Sequence, residues 1–442
     1  MAPATQWRRR AILVACVVSG CGCAALAASA QTIAWHDDFE AAAAAAKQTL
    51  NPILVEVSCG GCPGCQDVCI PACEKLRRSF ADPRVVELAK SFECARAKTQ
   101  KARADEPFQR FRQFKIALTP AVLLLEPDER TELVRLGGPV TADELAGWMA
   151  PLAELGQAHR DLKADPEDGD ALAAIGHVYF RLDKYEPALV YLRKALATDG
   201  EFRRREDAEL DAAICELLAD PQAMRTPQEA PRWLGDLEAF VRAHPNSPRR
   251  GEALFHLSTA YVRVRNTEAA EDCLQRLIAA EPIDSKWRGV AEESLPRMQM
   301  PRLTAELRGN PDNAMANYRV GHALVMMGEL REALMPLTRA LQFDPEGAAG
   351  VRPDATLDVA ICYCRIDLTA GPRLQHFLRT YGTSPRVPEA LYYLAEWADS
   401  QGATEQALEA AHTLVNDHPQ SPWAHKVRDL LERIQPKDAA QQ

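Results

Sequence analysis

Three common marks of catalysis are missing from this chain. It has no G-x-x-x-x-G-K-[ST] phosphate loop, no G-x-S-x-G nucleophile turn and no H-E-x-x-H zinc pair. No histidine lies between His36 and His159, so a metal held in the cysteine-rich stretch between them would have thiolates alone as ligands. Positive charge is in deficit: 52 Lys and Arg stand against 62 Asp and Glu, a net charge of -10. Residues 1–30 carry three arginines and no carboxylates, so the remainder stands at -13. That balance excludes non-specific nucleic-acid binding, which depends on Lys and Arg neutralising phosphates. The short basic runs Arg203-Arg204-Arg205 and Arg249-Arg250 lie among acidic residues and read as solvated helix surface. After residue 30 no segment is long and apolar enough to cross a bilayer.

Residues 1–30 read as an export signal. Arg8-Arg9-Arg10 is a basic start, Ala11 to Val18 an apolar core, and Ala28-Ser29-Ala30 a small-residue cleavage site before Gln31. Val18-Ser19-Gly20-Cys21 resembles a bacterial lipobox, in which Cys21 would carry a lipid, and Arg9-Arg10-Ala11-Ile12-Leu13 loosely resembles a twin-arginine signal. The expectation is a periplasmic or cell-envelope protein, touching a membrane only through a lipid at Cys21 if that site is used. Outside the cytoplasm disulfides persist, so a thiol cluster need not be a metal site.

What is abundant is cysteine in one place. Ten of the thirteen cysteines follow residue 30, and six of those fall between Cys59 and Cys94. Cys59, Cys62, Cys65, Cys69 and Cys73 come directly after Pro52 to Val57, an apolar run that reads as a buried strand. Around them helix-like and strand-like runs alternate. Phe39 to Lys47 is helical, Glu74 to Lys90 helical, Phe92 to Ala97 a strand, and Ala121 to Leu125 and Glu132 to Leu136 two strands turned by Pro127-Asp128. A last helix opens at Thr141, where Thr141-x-x-Glu144 is a capping box. The order α-β-α-β-α-β-β-α describes a compact α/β domain over residues 31–155.

From about Gly156 the strands vanish, and small and large residues recur at fixed offsets. Ile175-Gly176, Tyr179, Ala188, Leu192 and Ala195 form one unit, and Leu254, Leu257, Tyr261, Ala270, Leu274, Leu277 and Pro282 another. Two more run from Val320-Gly321 to Pro345 and from Leu391 to Pro419, with weaker copies near Trp233 to Pro245 and Leu357 to Pro385. This pattern resembles tetratricopeptide repeats over residues 156–435, about six units. His244-Pro245-Asn246-Ser247-Pro248 and His418-Pro419-Gln420-Ser421-Pro422 resemble unit ends of such repeats in exported bacterial proteins. The resemblance implies an all-α solenoid stabilised by stacking, with a surface that binds a protein or peptide client. Residues 436–442 are expected to be a disordered tail. Cys215, Cys273, Cys362 and Cys364 read as small buried residues, and His177, His256 and His322 as structural.

The first half resembles the thioredoxin-like superfamily, its exported thiol-disulfide branch in particular. Cys62-Pro63-Gly64-Cys65 falls after the strand where the family's C-x-x-C lies, Thr119-Pro120 matches its cis-proline and Gly137-Gly138 its glycine turn. The resemblance implies Cys62 as nucleophile, Cys65 as resolving thiol, Glu56 as the buried acid that takes a proton from the second cysteine, and Pro120 as the backbone position that presents the substrate strand. A helix N-terminus beside Cys62 would lower its pKa, and two intervening residues let the second thiol close the ring. The sequence departs from the family in having Gly61 rather than an aromatic residue before the first cysteine.

Other readings of the same thiols stay open. Cys69 and Cys73 occupy the active position in an alternative register. Cys59-x2-Cys62-x2-Cys65-x3-Cys69 equals the ligand spacing of bacterial ferredoxins, and an all-thiolate zinc site is a third reading. Cys59, Cys69, Cys73 and Cys94 also suit two structural staples. The expected protein is therefore an α/β thioredoxin-like domain followed by an all-α repeat solenoid. It would be an exported thiol-disulfide oxidoreductase with no cofactor or metal, served by a redox partner protein and recruiting a client through its repeats. The alternative is a non-enzymatic adaptor.

Overall fold

The computed structural model describes residues 32–58, 66–98, 114–116, 119–219, 231–282, 285–366 and 369–434, with the side chains of 66–70 and 98 left aside. The chain divides into two compact units between Pro166 and Glu167.

The first unit is built on five strands: β1 (Trp35–His36), β2 (Ile53–Ser58), β3 (Glu93–Lys98), β4 (Ala121–Leu125) and β5 (Glu132–Gly137), in the order β1-β3-β2-β4-β5. β3 runs parallel to both β1 and β2, while β4 is antiparallel to β2 and to β5. Every residue of β2 and β4 is buried, as central strands covered on both faces must be. Alternation along β2 sends Ile53, Val55 and Val57 to one face. There they pack with Phe39, Ala42, Ala43 and Ala46 of α1 (Phe39–Thr49), whose alanine side lets the helix lie close on the sheet. Leu54, Glu56 and Ser58 point the other way.

Two details differ from the sequence reading. The helix expected over Glu74 to Lys90 is two, α2 (Gln66–Ser79) and α3 (Pro83–Ala89). Asp82 ends the first and caps the second by accepting from the Arg84 N–H, and Pro83 has no N–H with which to continue the earlier helix. The short edge strand Trp35–His36 was not anticipated, being only two residues long. The Thr141 capping box forms with both of its hydrogen bonds at the start of α4 (Ala142–Leu152). The helix expected between β3 and β4 falls largely outside the described residues.

Helix α5 (Leu155–Ala164), which the periodicity assigned to the repeats, belongs to the first unit. Arg160 Nη1 donates to the Thr49 carbonyl at 2.6 Å and to Asn51 Oδ1 at 2.9 Å, and His159 Nε2 lies 3.0 Å from Glu126 Oε2. Gly156 sits so close to Asn51 that a Cβ there would stand 2.4 Å from its Oδ1. These contacts override an amphipathic pattern that looks the same in either unit.

The second unit is helical throughout its described residues. Six antiparallel pairs follow one another: α6 (Gly169–Arg181) with α7 (Tyr185–Ala197), α8 (Arg205–Ala219) with α9 (Arg232–Ala243), and α10 (Arg250–Arg263) with α11 (Thr267–Ala280). After the single long helix α12 (Lys286–Gly309) come α13 (Ala314–Met326) with α14 (Leu330–Phe343), α15 (Arg352–Ile366) with α16 (Ala370–Thr380), and α17 (Val387–Ser400) with α18 (Thr404–Asp417). Helix α19 (Pro422–Ile434) follows them. Within pairs, glycine decides the spacing: a Cβ at Gly176 or at Gly321 would stand 2.6 Å from Cγ of Leu192 or Leu337.

The two glycines belong to a larger internal repetition. Gly176-His177 and Leu192 recur as Gly321-His322 and Leu337, and Asp211-x-Ala-Ile-Cys215 recurs as Asp358-x-Ala-Ile-Cys362. Ser247-Pro248-Arg249 with Glu252 recurs as Ser384-Pro385-Arg386 with Glu389, and Trp287 of α12 recurs as Trp423 of α19. The solenoid is thus two modules of three helix pairs, each finished by one further helix. In the first module that closing helix runs on to Gly309 and leads into the second.

Candidate functional site

Of the four residues expected to form a thiol site, Cys62 and Cys65 lie outside the described residues, as does Cys59 and the side chain of Cys69. Glu56 and Pro120 come together. Glu56 pairs in register with Val122, and Val57 with Ala121, so Pro120 stands at the end of β2 from which the cysteine segment departs. The Thr119–Pro120 peptide bond is cis. The Pro120 carbonyl accepts from the Gly138 N–H at 2.8 Å, and Gly138 has φ +85°, a backbone position that glycine takes without strain.

Glu56 has a partner that the sequence reading missed. Its carboxylate is 2% exposed, and Oε2 accepts from Arg96 Nε at 2.8 Å across the β2–β3 ladder. The Arg96 guanidinium in turn lies over the Trp35 ring, 4.2 Å from its centroid, and Trp35 meets Phe80 edge-on at 5.2 Å. The signal was present: an arginine in a strand beside a buried strand carrying a glutamate requires a counter-charge. Cys94 does not staple anything. It is a free thiol on β3, directed at the carbonyls of Ala89 and Phe92, and burial pushes its pKa up to about 12. Helix α2 carries Cys73, which is buried.

In the second unit the first helices of successive pairs contact one another, so α6, α8 and α10, and again α13, α15 and α17, form a continuous face. Across each triplet runs the same polar clasp. In the first module His177 Nδ1 lies 2.6 Å from Asp211 Oδ2. Arg249 Nη2 donates to Asp211 Oδ1 at 2.6 Å, and its Nε donates to Glu252 at 2.9 Å. In the second, His322 Nδ1 lies 2.7 Å from Asp358 Oδ2. Arg386 Nη2 donates to Asp358 Oδ1 at 2.6 Å, and its Nε donates to Glu389 at 2.7 Å.

Both aspartates are fully buried, on the middle helix of their triplet. Burial alone would raise the Asp358 pKa. The His322 hydrogen bond and the Arg386 charge outweigh it and hold the carboxyl below its usual range. Arg249, read as solvated surface from its basic neighbour, is instead a half-buried clamp with 17% side-chain exposure. His177 and His322 keep about a third of their side-chain surface open.

The remaining cysteines behave as small core residues. Cys215, Cys273, Cys362 and Cys364 are free, and burial raises each thiol, Cys273 to about 11 and Cys362 and Cys364 to about 12. Among the described residues no group of histidine, cysteine and carboxylate side chains has the geometry of a metal site. Nor is any described helix long and apolar enough to cross a membrane.

Family models of the tetratricopeptide repeat match residues 169–202, which span α6 and α7, and residues 389–421, which span α17 and α18. The chain carries tetratricopeptide repeats. The family models match only the repeat half. Solved structures similar to the chain include two described by the same repeat. YrrB, described as a TPR protein with an unusual peptide-binding site, is 14% identical, with 62% of this chain and 97% of that one covered at a TM-score of 0.24. The TPR2AB domain of yeast Sti1, solved as a complex with pHSP90, is 13% identical, with 60% and 98% covered at 0.24. The apo form of RapI is 12% identical, with 62% and 83% covered at 0.30. No curated protein sequence matches the chain.

Proposed function

We propose that the repeat half is a docking scaffold for a protein or peptide client and that the N-terminal unit acts on that client's thiols. The scaffold reading is carried by one observation, the unbroken face formed by the first helices of each triplet, with partly open histidines set along it. Such a face binds extended or helical segments by shape, and the clasps beneath it keep that shape fixed. Peptide-display selection against the full chain should return sequences that also bind the purified protein in solution. Selected sequences that fail to bind in solution would remove the scaffold reading.

The redox reading is favoured by a second observation. The strand order β1-β3-β2-β4-β5, with β2 feeding the cysteine segment and Pro120 beside its end, is what a thioredoxin-like domain requires. On this proposal the Cys62 thiolate attacks one sulfur of a client disulfide and releases the other as a thiolate. Cys65 then attacks the Cys62 sulfur of the mixed disulfide, freeing the client's remaining thiolate and leaving a Cys62–Cys65 disulfide that a dithiol partner protein reduces, or the pair runs in the opposite direction as an oxidant. Residues 1–30 would deliver the protein to the periplasm or cell envelope, where such chemistry has disulfides to act on. An insulin-reduction assay separates the readings. Turnover by the parent and by Cys69→Ser, lost in Cys62→Ser, supports the redox role; an inactive parent leaves only the adaptor.

A further inference from the structure

The two modules meet through a much smaller core than either contains. Inside the first module, seventeen buried residues form one continuous cluster reaching from Leu210 to Ala291. At the junction only Leu303, Val320 and Ala323 are buried together, with Met300, Leu307 and Leu324 partly so. The junction also carries the molecule's break in repetition. Helix α12 runs for 24 residues, from Lys286 to Gly309, and Pro296 and Pro301 lie within it. Beside this thin core a cavity of about 510 Å³ opens between α12 and α13, a size typical of ligand sites, roughly 300–1,000 Å³.

Its wall is apolar, from Leu295, Pro296, Leu303 and Met326, and two aromatic polar residues of α13 complete it, Tyr318 and His322. Met326 is exposed, as few large apolar residues of this chain are. The charged groups that line the cavity are all engaged already. Arg302 pairs with Glu271 at 2.9 Å, Arg319 with Glu306 at 3.3 Å, and Glu292 with Arg288 at 2.8 Å. A charged ligand would have to compete with those partners for each contact.

Gln299, an uncharged lining group, is engaged too, its Nε2 donating to Glu271 at 3.2 Å, but Tyr318 and His322 are different. The Tyr318 ring stacks on His322 with centroids 5.5 Å apart, and among the described residues its hydroxyl makes no hydrogen bond. His322 commits Nδ1 to Asp358 at 2.7 Å, and among the described residues its Nε2 makes no hydrogen bond. Two uncommitted hydrogen-bonding groups, a hydroxyl and a ring nitrogen, side by side over an apolar wall suit the polar groups of a peptide backbone with an apolar side chain below it.

We propose that this junction cavity is the scaffold's ligand site, and that it takes an extended, uncharged peptide segment bearing one large apolar side chain. The proposal rests on the scaffold reading above and adds to it the place and the chemistry of the ligand.

The test uses the full chain and four sets of fluorescent, end-capped octapeptides: leucine-centred neutral, serine-centred neutral, acidic and basic. Fluorescence polarisation should show binding confined to the leucine-centred set. Tyr318→Phe, which removes one hydroxyl, should weaken it about three- to tenfold, and Met326→Glu should abolish it. Val190→Glu, at another exposed apolar position, on α7, should leave binding unchanged. Preference for acidic or basic peptides, or binding indifferent to both cavity variants, overturns the junction site while the scaffold reading survives. Absence of binding by every set overturns both.

Discussion

Arg386→Met is expected to cost about 3–5 kcal/mol, because it leaves the Asp358 carboxylate buried without its cation. Asp358 has no exposed surface, and Arg386 and His322 take one oxygen each at 2.6 and 2.7 Å. The clasp joins three consecutive helix pairs, so its loss should be felt through the whole second module rather than at one helix. Calorimetry should show the transition of that module falling by about 10 °C, with the first module's transition moved far less. The paired variant Asp358→Leu/Arg386→Met should recover part of the loss, since replacing both charges removes the stranded ion as well as the attraction. A double variant no more stable than Arg386→Met would show that the damage came from packing and not from the orphaned charge.

The same carboxylate sets a pH limit. Its native pKa lies below the unfolded value of about 3.9. The stabilisation is therefore fully present above that pH and is lost as pH falls through the lowered native value. In the double variant that part of the acid sensitivity should be gone.

Much of this architecture was legible in the chain because its elements are long and strongly patterned. The runs around Val55 and Leu123 could only be buried strands, and alanine and leucine at repeat offsets marked the helix pairs. What escaped depended on partners distant in sequence. Arg249 looked like solvated surface because its neighbour is also basic, yet its place is decided by Asp211 on another helix. Arg96 was unremarked for the same reason, its partner Glu56 being forty residues away. The boundary at Pro166 was missed because α5 has the amphipathic texture of a repeat helix and differs only in what its polar side reaches, Thr49 and Asn51. The duplication could have been found by eye. Ser-Pro-Arg-x-x-Glu and Asp-x-Ala-Ile-Cys each occur twice in the same order, but the clasp they build becomes evident only when three helices are stacked.

The duplication also isolates a second large effect. Where the second module has Tyr393, the first has His256, packed against Phe255 and Trp287 with ring centroids 5.4 and 5.9 Å away. Its Nδ1 is buried without a hydrogen-bond partner. Burial is the main cause that drives its pKa down to about 4, helped by the charges of Arg249 and Lys286 and opposed by Glu252. An unfolded chain binds this proton near pH 6.5, so between about 6.5 and 4 the unfolded state carries more protons than the folded one. Stability from this residue is complete above pH 6.5 and drains away as pH falls, by about 3 kcal/mol at pH 4. His256→Phe removes both the titration and the unsatisfied nitrogen while keeping a ring between Phe255 and Trp287. At pH 7 the variant should be more stable than the parent by about 1–2 kcal/mol. Its advantage should widen steadily as urea unfolding is repeated down to pH 4.5. Parent and variant curves that stay parallel across that range would mean that the histidine is already protonated in the folded protein, or that the apolar setting of the ring does not hold in solution.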